Sequence, residues 1–160
     1  MDHHRIYLSG PIAGLTYVES TQWRYEVFEE LADFAEILDP MRDVKPPDDP
    51  GFTPDGVGFE FGSIDPAMMT DRGIYTRDYN DTVNSTILFV NLLGAKKASI
   101  GTVAEIAWAN EKRIPVIVIM EPAGNPHDHP FIREMADYRV HTIERGITVA
   151  RSIMGVPQGW

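Results

Sequence analysis

A glutamate near the start of a predicted helix is the residue best suited to do chemistry in this sequence. Glu105 lies in the stretch Ala98-Ser-Ile-Gly-Thr-Val-Ala-Glu-Ile-Ala-Trp-Ala109. Gly101 and Thr102 are typical of a helix start, and Thr102 as N-cap would put Glu105 in the first turn, where the helix dipole favours an ionised carboxylate. Such a carboxylate beside a crevice can act as a nucleophile at a sugar carbon. The alternative is that Glu105 only completes the N-terminus of a solvated helix.

Two further titratable residues are candidates for a site. Asp78 lies in Arg77-Asp-Tyr-Asn-Asp81, within a helix predicted over 74–83. Tyr7 lies in a short predicted strand over 5–9, so its ring could point into a crevice at the strand end. The alternatives are a surface helical acid for Asp78 and a core tyrosine with a satisfied hydroxyl for Tyr7.

The histidines do not indicate a metal site. His3 and His4 are adjacent, so their side chains would point apart in a strand. His127 and His129 lie in a predicted loop over 121–130 without further ligands, which favours solvent-exposed turn residues. We expect no metal.

The elements that must position the candidate residues can be predicted from apolar runs and helical spacing. Strands are expected at 5–9, 37–38, 86–92, 114–120 and 140–143. Helices are expected from a cap at Ser20 or Thr21 to about Phe34, at 74–83, around Glu105, as a turn at 131–136, and at 147–154. In the first of these helices the apolar residues recur at near-helical spacing and should face the core: Trp23, Val27, Leu31 and Phe34.

Strands that alternate with helices predict a three-layer α/β fold, flavodoxin-like or Rossmann-like, with a parallel five-stranded sheet and helices on both faces. The chain is expected to form one domain over 1–160. Ligands of such sheets bind beyond the carboxyl ends of the strands. The segments after Tyr7, after Asn91 and before Glu105 should therefore surround one crevice.

The stretch at 40–73 is irregular and rich in proline and glycine. Phe52, Phe59 and Phe61 give it apolar side chains to bury, so we expect a lid over the crevice rather than plain disorder. Phe59 or Phe61 could then stack on a flat ligand. The alternative is a self-packed surface loop.

Composition limits the classes of partner. The chain has 160 residues, a hydrophobic content of 43% and a formal net charge of −10. This charge disfavours a phosphate backbone, so nucleic acid is not an expected partner. The sequence has no apolar run long enough to span a bilayer, no secretory leader and no cysteine, which predicts a cytoplasmic protein without membrane attachment or disulfides.

Three segments together resemble one family. Ile6-Tyr-Leu-Ser-Gly-Pro11, Arg77-Asp-Tyr-Asn-Asp81 before the strand at 87–90, and Gly101-Thr-Val-Ala-Glu105 are similar to the nucleoside 2-deoxyribosyltransferase family, including its nucleotide N-hydrolase relatives, over about the first 120 residues. The resemblance implies that Glu105 attacks C1′ of a deoxynucleoside, that Asp78 handles the base and its proton, and that Tyr7 positions the nucleophile. The candidate substrate-binding residues are Ser9, Gly10, Pro11, Asn91, Ser99, Gly101 and Thr102.

The resemblance leaves the branch of the family open. Transferases often carry an aspartate six residues before the nucleophile, where this chain has Ser99, and nucleotide hydrolases place a serine there for a 5′-phosphate. Those hydrolases also use a serine and an arginine after the first strand, where this chain has Pro11 and Ala13. The expected partners are a nucleoside or nucleotide and a free base, without a cofactor. A non-catalytic nucleotide sensor remains the alternative from another class.

The resemblance also implies a homo-oligomer, a dimer or larger, with a pocket shared between subunits. The segments that would complete a neighbour's pocket are the loop at 125–130 and the C-terminus with Trp160, for which the alternative is a disordered tail.

Overall fold

The computed structural model describes residues 3–49, 51–53, 59–62 and 64–159. Trp160 and part of the predicted lid therefore lie outside the described residues. The strands are β1 (His4–Ser9), β2 (Ala35–Leu38), β3 (Ile87–Asn91), β4 (Val116–Ile119) and β5 (Tyr138–Val140). The helices are α1 (Tyr17–Leu31), α2 (Asp71–Val83), α3 (Ile100–Glu111), α4 (Pro130–Met135) and α5 (Ile143–Ile153), with a 3-10 turn at Pro66–Met69.

The five strands form one parallel sheet in the order β2-β1-β3-β4-β5. The central pairing joins β1 to β3, and hydrogen bonds between Arg5 and Thr86 close it at its beginning. From this pairing, α1 leads outward to β2 and α3 leads outward to β4, in opposite directions. A crevice therefore opens at the carboxyl ends of β1 and β3. The predicted fold class is confirmed, and the strand order is the flavodoxin-like one.

Both faces of the sheet are covered, because each inner strand is apolar on both sides. Ile6 and Leu8 of β1 pack with α1 and α5. Tyr7 lies between them in sequence and points to the other face, where it joins the cluster of α3 and α4. Helix α2 packs beside α3 on that face. The alternation of β1 therefore directs Tyr7, and two residues later Ser9, toward α3.

The start and end of α1 differ from the prediction. Thr16 caps the helix, and its hydroxyl accepts from the Glu19 N–H while the Glu19 carboxylate accepts from the Thr16 N–H. This capping box overrides the hydroxyl residues at 20 and 21, which lie inside the helix. The helix ends at Leu31, so Phe34 falls outside the helical spacing and is 42% exposed.

Two other helices also begin earlier than predicted. Helix α2 begins at Asp71, because the Thr70 hydroxyl accepts from the Gly73 N–H. Helix α5 begins at Ile143, where a strand was predicted, because Thr142 caps it. No helix in the described ranges has the length and apolar character that a membrane crossing requires.

Candidate active site

Glu105 lies in the second turn of α3, one turn later than predicted. The N-cap is Ser99, whose Oγ lies 3.4 Å from the Thr102 N and 2.9 Å from the Thr102 Oγ1. Thr102 is therefore inside the helix rather than at its cap. The shift takes the Glu105 side chain away from the free N–H groups of the first turn. Its carboxylate is directed instead toward the carboxyl end of β1, where Oε2 is buried.

The Glu105 carboxylate lies beside two hydroxyls from β1. The Ser9 and Tyr7 hydroxyls approach it closely enough to act on its ionisation. Within the described part of the chain, however, Glu105 Oε2, Tyr7 Oη and Ser9 Oγ each lack a hydrogen bond of ordinary geometry. Buried polar atoms normally have partners, and exceptions cluster at functional sites. Three such atoms, two from β1 and one from α3, lie close together, which makes this place a candidate functional site.

Burial dominates the ionisation of this cluster. Desolvation raises the pKa of Glu105 to about 8, and the negative charge of Asp78 adds to the rise. The Ser9 hydroxyl, the Arg24 guanidinium and the Tyr7 hydroxyl oppose it. Desolvation also raises the pKa of Tyr7 well above its ordinary value, so Tyr7 keeps its proton.

Asp78 joins the cluster from α2. Its side chain is 18% exposed, and the Arg77 Nε lies 3.4 Å from its Oδ1. Desolvation raises the pKa of Asp78, although the Arg77 charge acts in the opposite direction. The fold thus brings together Tyr7, Ser9, Asp78 and Glu105, from three elements that are far apart in the sequence.

The raised pKa of Glu105 predicts that Glu105→Gln stabilises the protein in a pH-dependent way. The unfolded chain releases the proton of this carboxyl near pH 4.5, whereas the folded protein keeps it to about pH 8. Wild-type stability should therefore fall between these two pH values, because ionisation favours the unfolded chain. The neutral amide is free of this cost, so the melting temperature of Glu105→Gln should exceed that of wild type by several degrees at pH 8 and by little at pH 4.5. Calorimetry at both pH values measures the difference, and an equal difference at both would contradict a buried neutral carboxyl.

Arg24 is a buried charge that sequence reasoning missed. It is 1% exposed and shares one buried stripe of α1 with Ser20, Val27 and Leu31. Its guanidinium donates to the carbonyls of Ser20 and Gly10, the latter at 3.2 Å, and pairs with Asp39 at 3.4 Å. The helical spacing of this stripe was the available signal, but an arginine at such a position is normally exposed.

Gly10 and Asn91 approach each other closely where β1 and β3 end. A Cβ on Gly10 would lie 2.8 Å from the Asn91 carbonyl oxygen and 3.1 Å from the Trp23 ring, so this close approach requires glycine. The Asn91 side chain accepts from the Leu93 N–H at 3.1 Å and fixes the turn after β3. Gly101, by contrast, is exposed, and a Cβ there would contact none of the described atoms within 4 Å.

A buried network braces the loop that leads into α3. The Ser99 N–H donates to His127 Nε2 at 2.8 Å, and His127 Nδ1 lies 3.0 Å from Asn125 Oδ1. Asn125 donates in turn to the Leu92 carbonyl and to Glu121. Since Nε2 accepts, the ring is neutral, and burial lowers the pKa of His127 in agreement. The prediction that His127 is a solvent-exposed turn residue is wrong, whereas His129 is exposed and caps α4.

Arg77 ties the described part of the 40–73 segment to α2. Its guanidinium donates to the Pro40 carbonyl at 2.9 Å and to Asp43 at 3.2 Å, and it lies over the Phe61 ring at 5.6 Å. Phe59 is buried and packs edge-on against Tyr17 at the start of α1. Both aromatic rings that were candidates for stacking on a ligand therefore have partners within the chain.

A cleft of about 430 Å³ opens next to the cluster, between the loops that follow β1 and β3. Pro11 and Asn91 line it, together with Lys96 and Lys97. Neither lysine forms an ion pair with a described carboxylate, although most other basic residues do. Glu19 also lines the cleft, and hydrogen bonds at the start of α1 together with the Lys96 charge lower its pKa. The cleft therefore carries two cationic side chains and one anionic side chain. Across the described ranges, no three histidine, aspartate or glutamate side chains are arranged to hold a metal ion.

Neither a protein-family model nor a curated protein sequence matches this chain. Several solved structures, however, are similar to this chain. A conserved protein from Enterococcus faecalis is similar with a TM-score of 0.63 and 13% identity, over 94% of this chain and 99% of that one. The CMP N-glycosidase BcmB from Clostridium botulinum is similar with a TM-score of 0.58 and 13% identity, over 93% and 98%.

A third similar structure has a different activity. The molybdenum cofactor binding protein from Rippkaea orientalis has a TM-score of 0.54 and 14% identity, over 96% of this chain and 99% of that one. At such identities the likeness establishes the α/β fold, which is shared by a nucleotide glycosidase and by a cofactor binding protein.

Proposed function

We propose that this protein cleaves the N-glycosidic bond of 2′-deoxynucleosides and transfers the deoxyribose to another nucleobase, as a pentosyltransferase. The observation that carries the proposal is the buried Glu105 carboxylate, which faces the Tyr7 and Ser9 hydroxyls with Asp78 nearby. Two carboxyl groups, one as nucleophile and one as proton carrier, are the minimum set for two displacements at a sugar carbon.

The chemistry assigns one role to each group. A Glu105 oxygen forms a bond to C1′ while the C1′–N bond breaks, and its electron pair stays on the departing base. Asp78 supplies the proton that this nitrogen takes up. In the second step the nitrogen of an acceptor base attacks C1′, Glu105 is released as a carboxylate, and Asp78 takes the proton back. Water in place of the base gives hydrolysis.

The raised pKa values suit this sequence of steps. Desolvation disfavours the charge on both Glu105 and Asp78, and because the pKa of Glu105 is raised to about 8, the pair holds at least one proton near neutral pH. The sugar carbon of the substrate becomes positive in the transition state, and this charge favours the ionised form of Glu105. The proton of the pair then resides on Asp78, from which the base can take it. An anion held without strong hydrogen bonds is also a better nucleophile.

The remaining candidate residues hold the substrate in this proposal. Ser9, Gly10, Pro11 and Asn91 line the edge where the sugar would lie. The 5′ side of the sugar would face the start of α3, at Ser99, Gly101 and Thr102. Because the hydroxyls of Ser99 and Thr102 already bind each other, a ligand there would have to share or replace that hydrogen bond. No cofactor takes part, and a partner subunit would complete the pocket.

A second candidate is hydrolysis of 2′-deoxynucleoside 5′-monophosphates, using the same carboxyl pair. The cleft with Lys96 and Lys97 favours it, since two ammonium groups without described ion pairs can receive a phosphate. The likeness to a CMP N-glycosidase agrees with this candidate. The lysines would then replace the serine and arginine expected at Pro11 and Ala13.

Product chromatography distinguishes these functions. Wild type is incubated with a 2′-deoxynucleoside and a different free base, and in parallel with the 5′-monophosphate alone. A new deoxynucleoside that is absent with Glu105→Ala supports transfer. Free base and sugar phosphate from the monophosphate, lost on replacing both Lys96 and Lys97 by alanine but kept in Lys112→Ala, support the hydrolase. Ligand binding without any product over a broad panel would favour a sensor and contradict both.

A further inference from the structure

The Arg24 guanidinium is enclosed by the turn after β1, by α1 itself and by the end of β2. It donates to the Gly10 carbonyl at 3.2 Å and to the Ser20 carbonyl, and its Nε lies 3.4 Å from Asp39 Oδ1. Its carbon Cζ lies 4.4 Å from the centroid of the Trp23 ring. These contacts leave the group 1% exposed, so its position is fixed on every side.

Packing alone does not explain an arginine at this position. The other large residues of the same stripe, Val27 and Leu31, are apolar and fully buried. Burying a cation costs several kcal/mol, which apolar residues of similar volume avoid. Asp39, the ion-pair partner, is itself partly desolvated, and this burial raises its pKa while the Arg24 charge opposes the rise. The charge therefore has a use beyond holding α1 on the sheet.

The residues next to the Gly10 turn indicate what the Arg24 charge does. Gly10 follows Ser9 directly, and Ser9 faces the Glu105 carboxylate. The Arg24 charge acts on Glu105, Tyr7 and Asp78 across this turn. The charged or titratable groups that surround Glu105 are Tyr7 on β1, Asp78, Asp81 and Arg77 on α2, and Arg24 on α1, with Asp39 and Arg42 beyond them.

Arg24 differs in one respect from the other cations of this set. Arg77 binds Asp43 and the Pro40 carbonyl as well as Asp78, and Arg42 binds Asp81. Arg24 Nε, although buried, forms no hydrogen bond of ordinary geometry with a described residue. Its guanidinium binds carbonyls of its own helix and of the turn after β1, and its ion-pair partner is Asp39 rather than a carboxylate of α2.

We propose that Arg24 is a positioning residue for Glu105: its buried guanidinium fixes the turn that follows β1 and supplies the countercharge that favours the ionised carboxylate. This inference rests on the proposed function for its meaning in catalysis, but its electrostatic part is independent of the substrate. Among the described contacts Arg24 has no hydrogen bond to Glu105, so in this proposal it acts through the Gly10 carbonyl and through its charge.

The test compares Arg24→Gln with Arg24→Lys. Glutamine removes the charge but still donates a hydrogen bond to a carbonyl, whereas lysine keeps the charge and loses the planar fork. The ionisation of Glu105 is followed by NMR of carboxyl-labelled glutamate, with the signal assigned by its loss in Glu105→Gln. Arg151→Gln, at a cation paired with Glu30 on the outer side of α1, is the matched control.

Arg24→Gln is expected to raise the NMR midpoint of Glu105 by about one pH unit. In a plot of kcat against pH, the midpoint of the acid limb should rise by the same amount. Arg24→Lys should keep both midpoints and lower kcat about tenfold through a looser turn, with little change in KM. Arg151→Gln should match wild type in all these measurements. If Arg24→Gln fails to fold, Asp39→Asn provides the opposite test, because loss of the competing carboxylate should lower the midpoint.

The outcomes separate the two proposals. An unchanged Glu105 midpoint in Arg24→Gln, or the same rise in Arg24→Lys, overturns the role of the charge whether or not the protein is active. If the Glu105 midpoint rises in Arg24→Gln but the wild-type protein has no glycosidic activity, the electrostatic role of Arg24 is supported and only the proposed function is contradicted.

Discussion

Glu105→Gln is expected to lower kcat for N-glycosidic bond cleavage by about 10⁴-fold, with a small change in KM. The amide keeps the size and the buried position of the side chain, but its oxygen is too weak a nucleophile to form a bond to C1′. Substrate contacts made elsewhere in the crevice remain, so binding should survive. Single-turnover rates with a labelled deoxynucleoside measure the loss, and denatured wild type should carry the label where Glu105→Gln does not.

The matched control is Glu111→Gln on the same helix. Glu111 lies at the last residue of α3 and its side chain is 74% exposed, so its replacement should leave kcat within twofold of wild type. A Glu105→Gln protein that keeps full activity, or label found on another residue, would contradict the assignment of the nucleophile.

Asp78→Asn is expected to cause the second largest loss, about 10²- to 10³-fold in kcat with natural bases as leaving groups. The reason is that a natural base leaves with a nitrogen that needs a proton, and asparagine cannot supply one. A substrate whose leaving group departs as a stable anion requires no proton transfer. With such a substrate the loss should shrink to less than about tenfold.

The dependence on the leaving group separates proton transfer from structural damage. A misfolded site would lower the rates of both substrates equally. Asp71→Asn serves as the control, since Asp71 is exposed in the first turn of the same helix and does not face Glu105. Equal losses with both leaving groups would show that Asp78 does not carry the proton.

The fold could be predicted because its signals are carried by many residues at once. Each inner strand is a run of apolar side chains, and a parallel sheet covered on both faces is the structure that such runs favour. Helix boundaries depend on single hydroxyl groups, and here prediction failed. Ser99 and Thr102 are three residues apart and both suit an N-cap, so only the backbone conformation at Ser99 decides between them.

The candidate site was predicted in part for a related reason. Tyr7, Asp78 and Glu105 were recognised through motifs, and the alternation of β1 explains why Ser9 joins them. Arg24 and His127 escaped because polar residues are assumed to be exposed unless a partner is visible. Their partners are backbone groups of Gly10 and Ser99, and sequence does not show which backbone groups will meet them.

The site that contains Tyr7 and Glu105 can form only after β1 has paired with β3. Arg5 and Thr86 are 81 residues apart, the longest separation among the strand pairs of the sheet. Closing a loop of that length costs about 4 kcal/mol of chain entropy before any contact repays it. Tyr7 lies on β1 and Glu105 lies on the helix that follows β3, so the two residues meet only when this pairing forms. A chain still being synthesised therefore carries Tyr7 without its partner groups until β3 and α3 have been made, and the reactive carboxylate acquires its buried setting only after the β1–β3 pairing has closed.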